Sequence, residues 1–138
     1  MAKGILKNEH FHSAIAAIML KNENLIKRLF ETKEYNEEGV YRLKLCDNGR
    51  WRVITIDDYI PCYPFSKPIF TKLKPLDSQD ERESQRSIWI YLLEKAYAKV
   101  KGGYKYLEGG STSEVMRDLT GFPMTRFDFN DSAVISMF

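Results

Sequence analysis

No stretch limits the possible folds of this chain as tightly as residues 88–110, IWIYLLEKAYAKVKGGYKYLEGG. Ile88, Trp89, Tyr91, Leu92, Leu93, Ala96, Tyr97 and Val100 recur mostly at three- and four-residue spacings. Such spacing gathers them on one broad apolar face of a helix. Glu94, Lys95, Lys99 and Lys101 fall largely on the opposite, polar side. Gly102 and Gly103 offer left-handed backbone at little steric penalty, so the helix, read over 87–101, should stop there. A short aromatic segment and a second pair, Gly109-Gly110, follow. The rest of the chain is expected to organise around this helix.

Residues 40–46 and 51–57 are two runs rich in β-branched and aromatic side chains, joined by Asp47-Asn48-Gly49-Arg50. Asn-Gly between such runs is a strong hairpin signal. Asp57, Asp58 and Pro61 end the second strand. Upstream, Asn8 suits a helix N-cap, and Glu9 suits the first turn, where the helix dipole favours negative charge. Phe11, Ala14, Ile15, Ile18 and Met19 share a face, and Ala16 and Ala17 permit close packing on the other. A polar patch at 21–24 interrupts the pattern, after which Leu25, Ile26, Leu29 and Phe30 read as a second short helix. Residues 61–86 hold the charged run DSQDERESQR and prolines 61, 64, 68 and 75, and prolines at that density forbid a helix and disfavour a central strand. They read as an extended loop, either a plain connection or a partner contact. Ser111 and Glu114 form an S-x-x-E capping box for a helix over 112–119 that stops at Gly121. Residues 126–138 show no clear period and are either a strand or a docked tail.

With 138 residues, 43% of them apolar and 29% charged, the chain can build one soluble domain with a real core. A net charge of +2 gives no strong field for nucleic acid or an anionic membrane, so neither is expected as a partner. The apolar run 12–20 is too short to span a bilayer, and the first residues lack a signal-peptide layout. Cys46 and Cys62 fit a reducing compartment better than a disulfide framework. A cytoplasmic protein is expected.

The series LLEKAYAK at 92–99, Gly103-Tyr104, Gly109-Gly110 and DLTG at 118–121 resembles, in order and spacing, the protease core of the calpains, calcium-activated papain-like cysteine proteases. The hairpin is similar too. Gly39, Tyr41, Leu45, Gly49, Trp51, Asp57, Asp58 and Pro61 stand as in the family pattern GxYxxxLxxxGxWxxVxxDDxxP. The resemblance runs from about Lys3 to Gly121. It implies an α/β fold, in the looser α+β sense, namely the helix-rich first lobe of a papain-like protease core with its β-hairpin. Residues 1–138 form a single domain on this reading. Trp51, Asp57, Asp58, Trp89, Glu94, Lys95, Tyr97, Gly109 and Gly110 are its structural motif residues.

In this family the nucleophile heads the first long helix, in a motif close to QGxLGNCWF. There the helix dipole lowers the thiol pKa and makes thiolate available, while the upstream Gln donates to the oxyanion. The corresponding stretch here is KGILKNEHF, residues 3–11. Gly4, Leu6, Asn8 and Phe11 are kept, whereas Lys3 stands for the Gln, Glu9 for the nucleophile and His10 for the Trp. A carboxylate cannot replace a thiolate as the acyl-forming nucleophile of a peptidase. The catalytic His and Asn of the family come from a second lobe, expected beyond the end of this chain. Neither His10 nor His12 corresponds to that His. No catalytic residue is therefore assigned. The first-lobe calcium position two before Trp89 carries Ser87, so no calcium site and no cofactor are expected. Adjacent residues and i,i+2 pairs on a helix, here Glu9–His10 and His10–His12, do not share a face, so a metal cluster of Glu9, His10 and His12 is not expected. Cys46 is expected to be a packing or rim thiol, Asp57-Asp58 a structural strand-end turn, and Lys27-Arg28 a solvated face.

Three readings of function follow. The favoured one is a catalytically inactive calpain-like module that binds a protein partner through its exposed lobe-interface face, as a binding or structural subunit of a larger assembly. The resemblance makes a cytoskeletal or ciliary setting one option for it. The alternatives are one half of a split calcium-dependent cysteine endopeptidase, and a regulator of an active calpain.

Overall fold

The apolar spacings of the sequence become helices packed on a hairpin in a computed structural model that describes residues 7–64, 67–68 and 88–125. Helix α1 spans Glu9–Asn22 and α2 Asn24–Lys27. Strands β1 (Val40–Asp47) and β2 (Arg50–Asp57) follow, then the two-residue strands β3 (Cys62–Tyr63) and β4 (Lys67–Pro68). The central helix α3 runs over Ile88–Lys101, a 3-10 turn over Tyr104–Leu107, and α4 over Thr112–Thr120. The architecture is α+β, helices packed on a two-stranded antiparallel hairpin.

β1 and β2 pair antiparallel, from Val40 opposite Asp57 to Asp47 opposite Arg50. Asn48 and Gly49 close the turn with φ of 49° and 78°. Two consecutive positive φ values make the primed turn whose twist matches the strands it joins. The outer edge of β1 is covered by the segment after α2: Lys44 N donates to Leu29 O at 2.7 Å and Glu31 N to Arg42 O at 2.9 Å. That pairing explains why α2 stops at Lys27. Leu29 is still buried and Phe30 bridges to Leu43; their N–H groups close turns onto Ile26 O and Lys27 O of α2 while Leu29 O joins the strand.

One core joins the elements. Phe11 and Ile15 of α1, Leu43 and Leu45 of β1, Ile90 and Leu93 of α3, Leu107, and Val115 and Leu119 of α4 are all buried. On α1 the buried stripe is Phe11, Ala14, Ile15 and Ile18, while Met19 sits at the rim. Ala16 and Ala17 face solvent, so they do not provide the second packing surface that their size suggests.

Several local expectations change for identifiable reasons. Asn8 precedes α1, but its side chain makes no capping bond because it is spent on α3. The capping box does not form: the Ser111 hydroxyl pairs with that of Ser113 at 2.8 Å. Glu94 does not lie on the polar side of α3 but is 2% exposed. Lys95 and Lys99 do not simply point to water. They lash α3 to β2, with Lys95 Nζ 2.6 Å from Tyr59 O and Lys99 Nζ 2.7 Å from Thr55 O. Arg28 is likewise more than a solvated cation, since it donates to Thr120 O at the end of α4 at 3.0 Å. Pro68 sits in the two-residue ladder of β3 and β4, where a missing N–H is tolerated. Lys3, Ser87, residues 126–138 and most of the loop 61–86 lie outside the described residues.

Candidate functional site

The start of α1 is held from two directions. From below, Asn8 is buried and its Nδ2 donates to Glu94 Oε1 of α3 at 2.5 Å. Asn8 O meanwhile begins the helix, accepting from Phe11 N at 3.0 Å and His12 N at 3.4 Å. From the side, the Gly109-Gly110 loop reaches in: Gly109 N donates to Lys7 O at 3.2 Å. At Gly110 a Cβ would lie 2.4 Å from His10 Nε2, so the imidazole occupies the space any side chain there would need. Five of the residues singled out in the sequence thus meet in one place: Glu9, His10, Glu94, Gly109 and Gly110.

Glu9 is the first residue of α1 and is exposed. Its carboxylate stands at the positive end of the helix, where a thiol would be driven towards thiolate. His10 is half-buried, and burial lowers its pKa, offset in part by the negative charges of Glu9 and Glu114. Burial also lowers the pKa of His12, helped by nearby positive charge that includes His10 and opposed by Glu9. Both rings are therefore biased towards the neutral form. Behind them Phe11 stacks on Tyr97 with ring centroids 5.2 Å apart. The Tyr97 hydroxyl donates to Asp118 Oδ2 at 3.2 Å, and burial raises its pKa strongly. Asp118, 3% exposed at its side chain, also takes Lys101 Nζ at 2.7 Å.

As chemistry, this arrangement can orient a helix start and a glycine loop against each other, but it offers no thiolate. Cys46 is buried in β1 and Cys62 is exposed in β3, so neither heads α1. Among the described residues no three His, Cys, Asp or Glu side chains gather to hold a metal ion.

The remaining motif residues lie apart from the helix start. Trp51 on β2 is 48% exposed and lies against Gly121, where a Cβ would be 2.8 Å from the indole. Asp57 Oδ1 accepts from Lys95 Nζ at 2.5 Å, a bond that lowers its pKa, and from Tyr59 N at 2.9 Å. The Asp58 carboxylate abuts Gly39. Trp89 stands at the beginning of α3, next to the far end of α1. The Asn8–Glu94 bond and the Tyr97–Asp118–Lys101 cluster were not anticipated. A signal for the first existed: Ile90, Glu94 and Tyr97, spaced four and three apart, put Glu94 on the buried stripe.

Comparison with known proteins adds three findings. The profile described as calpain family cysteine protease matches residues 1–137. The calpain-type cysteine protease DEK1 of Zea mays is 37% identical over 121 residues, and that of Arabidopsis thaliana 38% over 121, each covering 88% of this chain. Calpain-A of Drosophila melanogaster is 33% identical over 122 residues, 86% of the chain. The chain spans only 5% of the length of either plant relative and 14% of the fly one.

Proposed function

Since the chain belongs to the calpain family of cysteine proteases, we propose that it carries the first lobe of that fold as a catalytically inactive module serving a binding or structural role. The observation that supports this reading is Glu9 at the first position of α1, where the family places its nucleophilic cysteine. A carboxylate there gains from the helix dipole yet forms no acyl-enzyme with a peptide. The surroundings of that position are nonetheless well built: the buried Asn8–Glu94 bond and the seating of His10 at Gly110 hold the helix start in place.

The binding half of the proposal assigns a protein partner to the face that a two-lobed enzyme turns towards its second lobe. A cytoskeletal or ciliary assembly is the first setting to examine.

The test has two arms. The unaltered chain, incubated with calcium and casein and with an epoxysuccinyl probe for reactive cysteines, should give neither cleavage nor labelling. Calcium-dependent cleavage would overturn the inactive reading. The Glu9→Cys variant should gain a thiol that alkylates faster at pH 7 than Cys62 does, because it would head a helix. For binding, the tagged chain recovered from its own cells should bring a stoichiometric protein with it. A monodisperse monomer with nothing attached would count against the partner.

A further inference from the structure

About 15 Å along α1 from Glu9, at Met19, ten residues on at 1.5 Å each, the helix borders a groove unconnected with the site above. Met19, Ile26, Phe30 and Trp89 give it apolar walls around a cavity of about 800 Å³, and Lys27, Arg28 and Lys33 stand at its margin. A second hollow of about 410 Å³ shares Arg28 and adds Lys44, Trp51 and Phe122. The two hollows thus share Arg28.

The charges lining this groove do not cancel. Glu23 is taken by Lys27 at 2.5 Å, and Lys44 is taken by Glu31 at 3.1 Å. Within this lining the surplus positive charge rests on Arg28 and Lys33, and Lys33 also borders a hollow lined by Glu31, Glu34 and Glu37. Arg28 gives Thr120 O a single hydrogen bond at 3.0 Å, whereas a guanidinium carries five N–H donors in a planar fork that suits a carboxylate. An apolar trough with two hollows, Arg28 shared by both and Lys33 on the lining of the larger one, matches a ligand of definite chemistry. It would place bulky apolar side chains into the hollows and a carboxylate between them. We propose that this groove docks an acidic segment of a partner protein that carries two apolar anchors, with Arg28 and Lys33 receiving its carboxylates. This goes beyond the binding face assigned above, since it lies at the other end of α1.

Both tryptophans of the chain line these hollows, so their fluorescence reports occupancy. The probe is a synthetic ten-residue peptide of Glu with two spaced Phe residues, beside a control with every Glu replaced by Lys. The acidic peptide should shift the emission saturably, and raising the salt from 0.1 M to 1 M should weaken it at least tenfold, because exposed charges are then screened. The control should give no saturable shift. Arg28→Glu and Lys33→Glu should each weaken binding about tenfold. Lys33→Glu keeps the test decisive if losing the Thr120 contact unfolds the Arg28 variant. Equal response to both peptides, or binding unaffected by Lys33→Glu, overturns the proposal. So does a peptide-free dimer in sedimentation that Lys33→Glu dissociates, since that would assign the groove to a second copy.

Discussion

Glu94 is the side chain from which the start of α1 hangs. It accepts from the buried Asn8 amide, and both residues are 2% exposed. Glu94→Ala would leave that amide facing an apolar void without its acceptor. Unpaired buried groups of this kind cost about 1–3 kcal/mol beyond the lost packing. The expected result is a urea midpoint lowered by an equivalent amount with an unchanged slope, whereas Lys99→Ala, which gives up only an exposed hydrogen bond to Thr55 O, should cost under about 1 kcal/mol. Equal losses for the two variants would show that the Asn8–Glu94 bond is not structural. Gly121 is as restricted as Glu94, for two reasons acting together. It ends α4 in the left-handed region at φ 74°, and the Trp51 indole fills the place of a Cβ.

Between elements, the seating of His10 at Gly110 couples α1 to the loop before α4. Gly110→Ala forces the imidazole out of its place and should destabilise by about 1–3 kcal/mol, the usual range for overpacking. Adding His10→Ala should recover most of that loss, with a coupling of at least about 1 kcal/mol in the double-mutant cycle. No recovery would mean that Gly110 is needed for its backbone and not for the space its neighbour takes. A different device joins α3 to the hairpin. Lys99 reaches the backbone oxygen of Thr55 in β2, and Lys95 the Asp57 carboxylate at its end and the backbone oxygen of Tyr59 just beyond it.

At the scale of the whole molecule, the two histidines set a pH dependence of folding. The folded-state pKa of each lies below the ordinary value of 6.5. Between the folded and unfolded pKa values the unfolded chain therefore binds more protons, and stability rises with pH. The contribution is complete above about pH 7 and is lost as pH falls through 6.5 towards the folded values. Chemical denaturation between pH 7.5 and 5.5 should show this decline, and the double variant His10→Gln, His12→Gln should flatten it. A decline of the same steepness in the variant would place its origin elsewhere. Asp57 acts in a separate window. Its lowered pKa adds stability above the ordinary carboxylate value of 3.8 that is lost only as pH falls through the folded value. Much of the architecture was legible before any coordinates. The hairpin turn needs two residues that tolerate positive φ, and Asn48-Gly49 declares them. The end of α4 needs a left-handed residue, and Gly121 declares it. The apolar spacing of α3 announces a buried helix, and the carboxylate at position 9 is a matter of identity alone. These features are local, carried by neighbours within a turn or two of backbone. The burial of Glu94, the approach of Gly110 to His10 and the basic groove around Arg28 are not. Asn8 and Glu94 are 86 residues apart, and Arg28 and Thr120 are 92 apart. Periodicity reports which face of a helix is apolar, but the partner of a polar group on that face is fixed only when distant segments pack together, because burial without a partner is what makes the pairing obligatory.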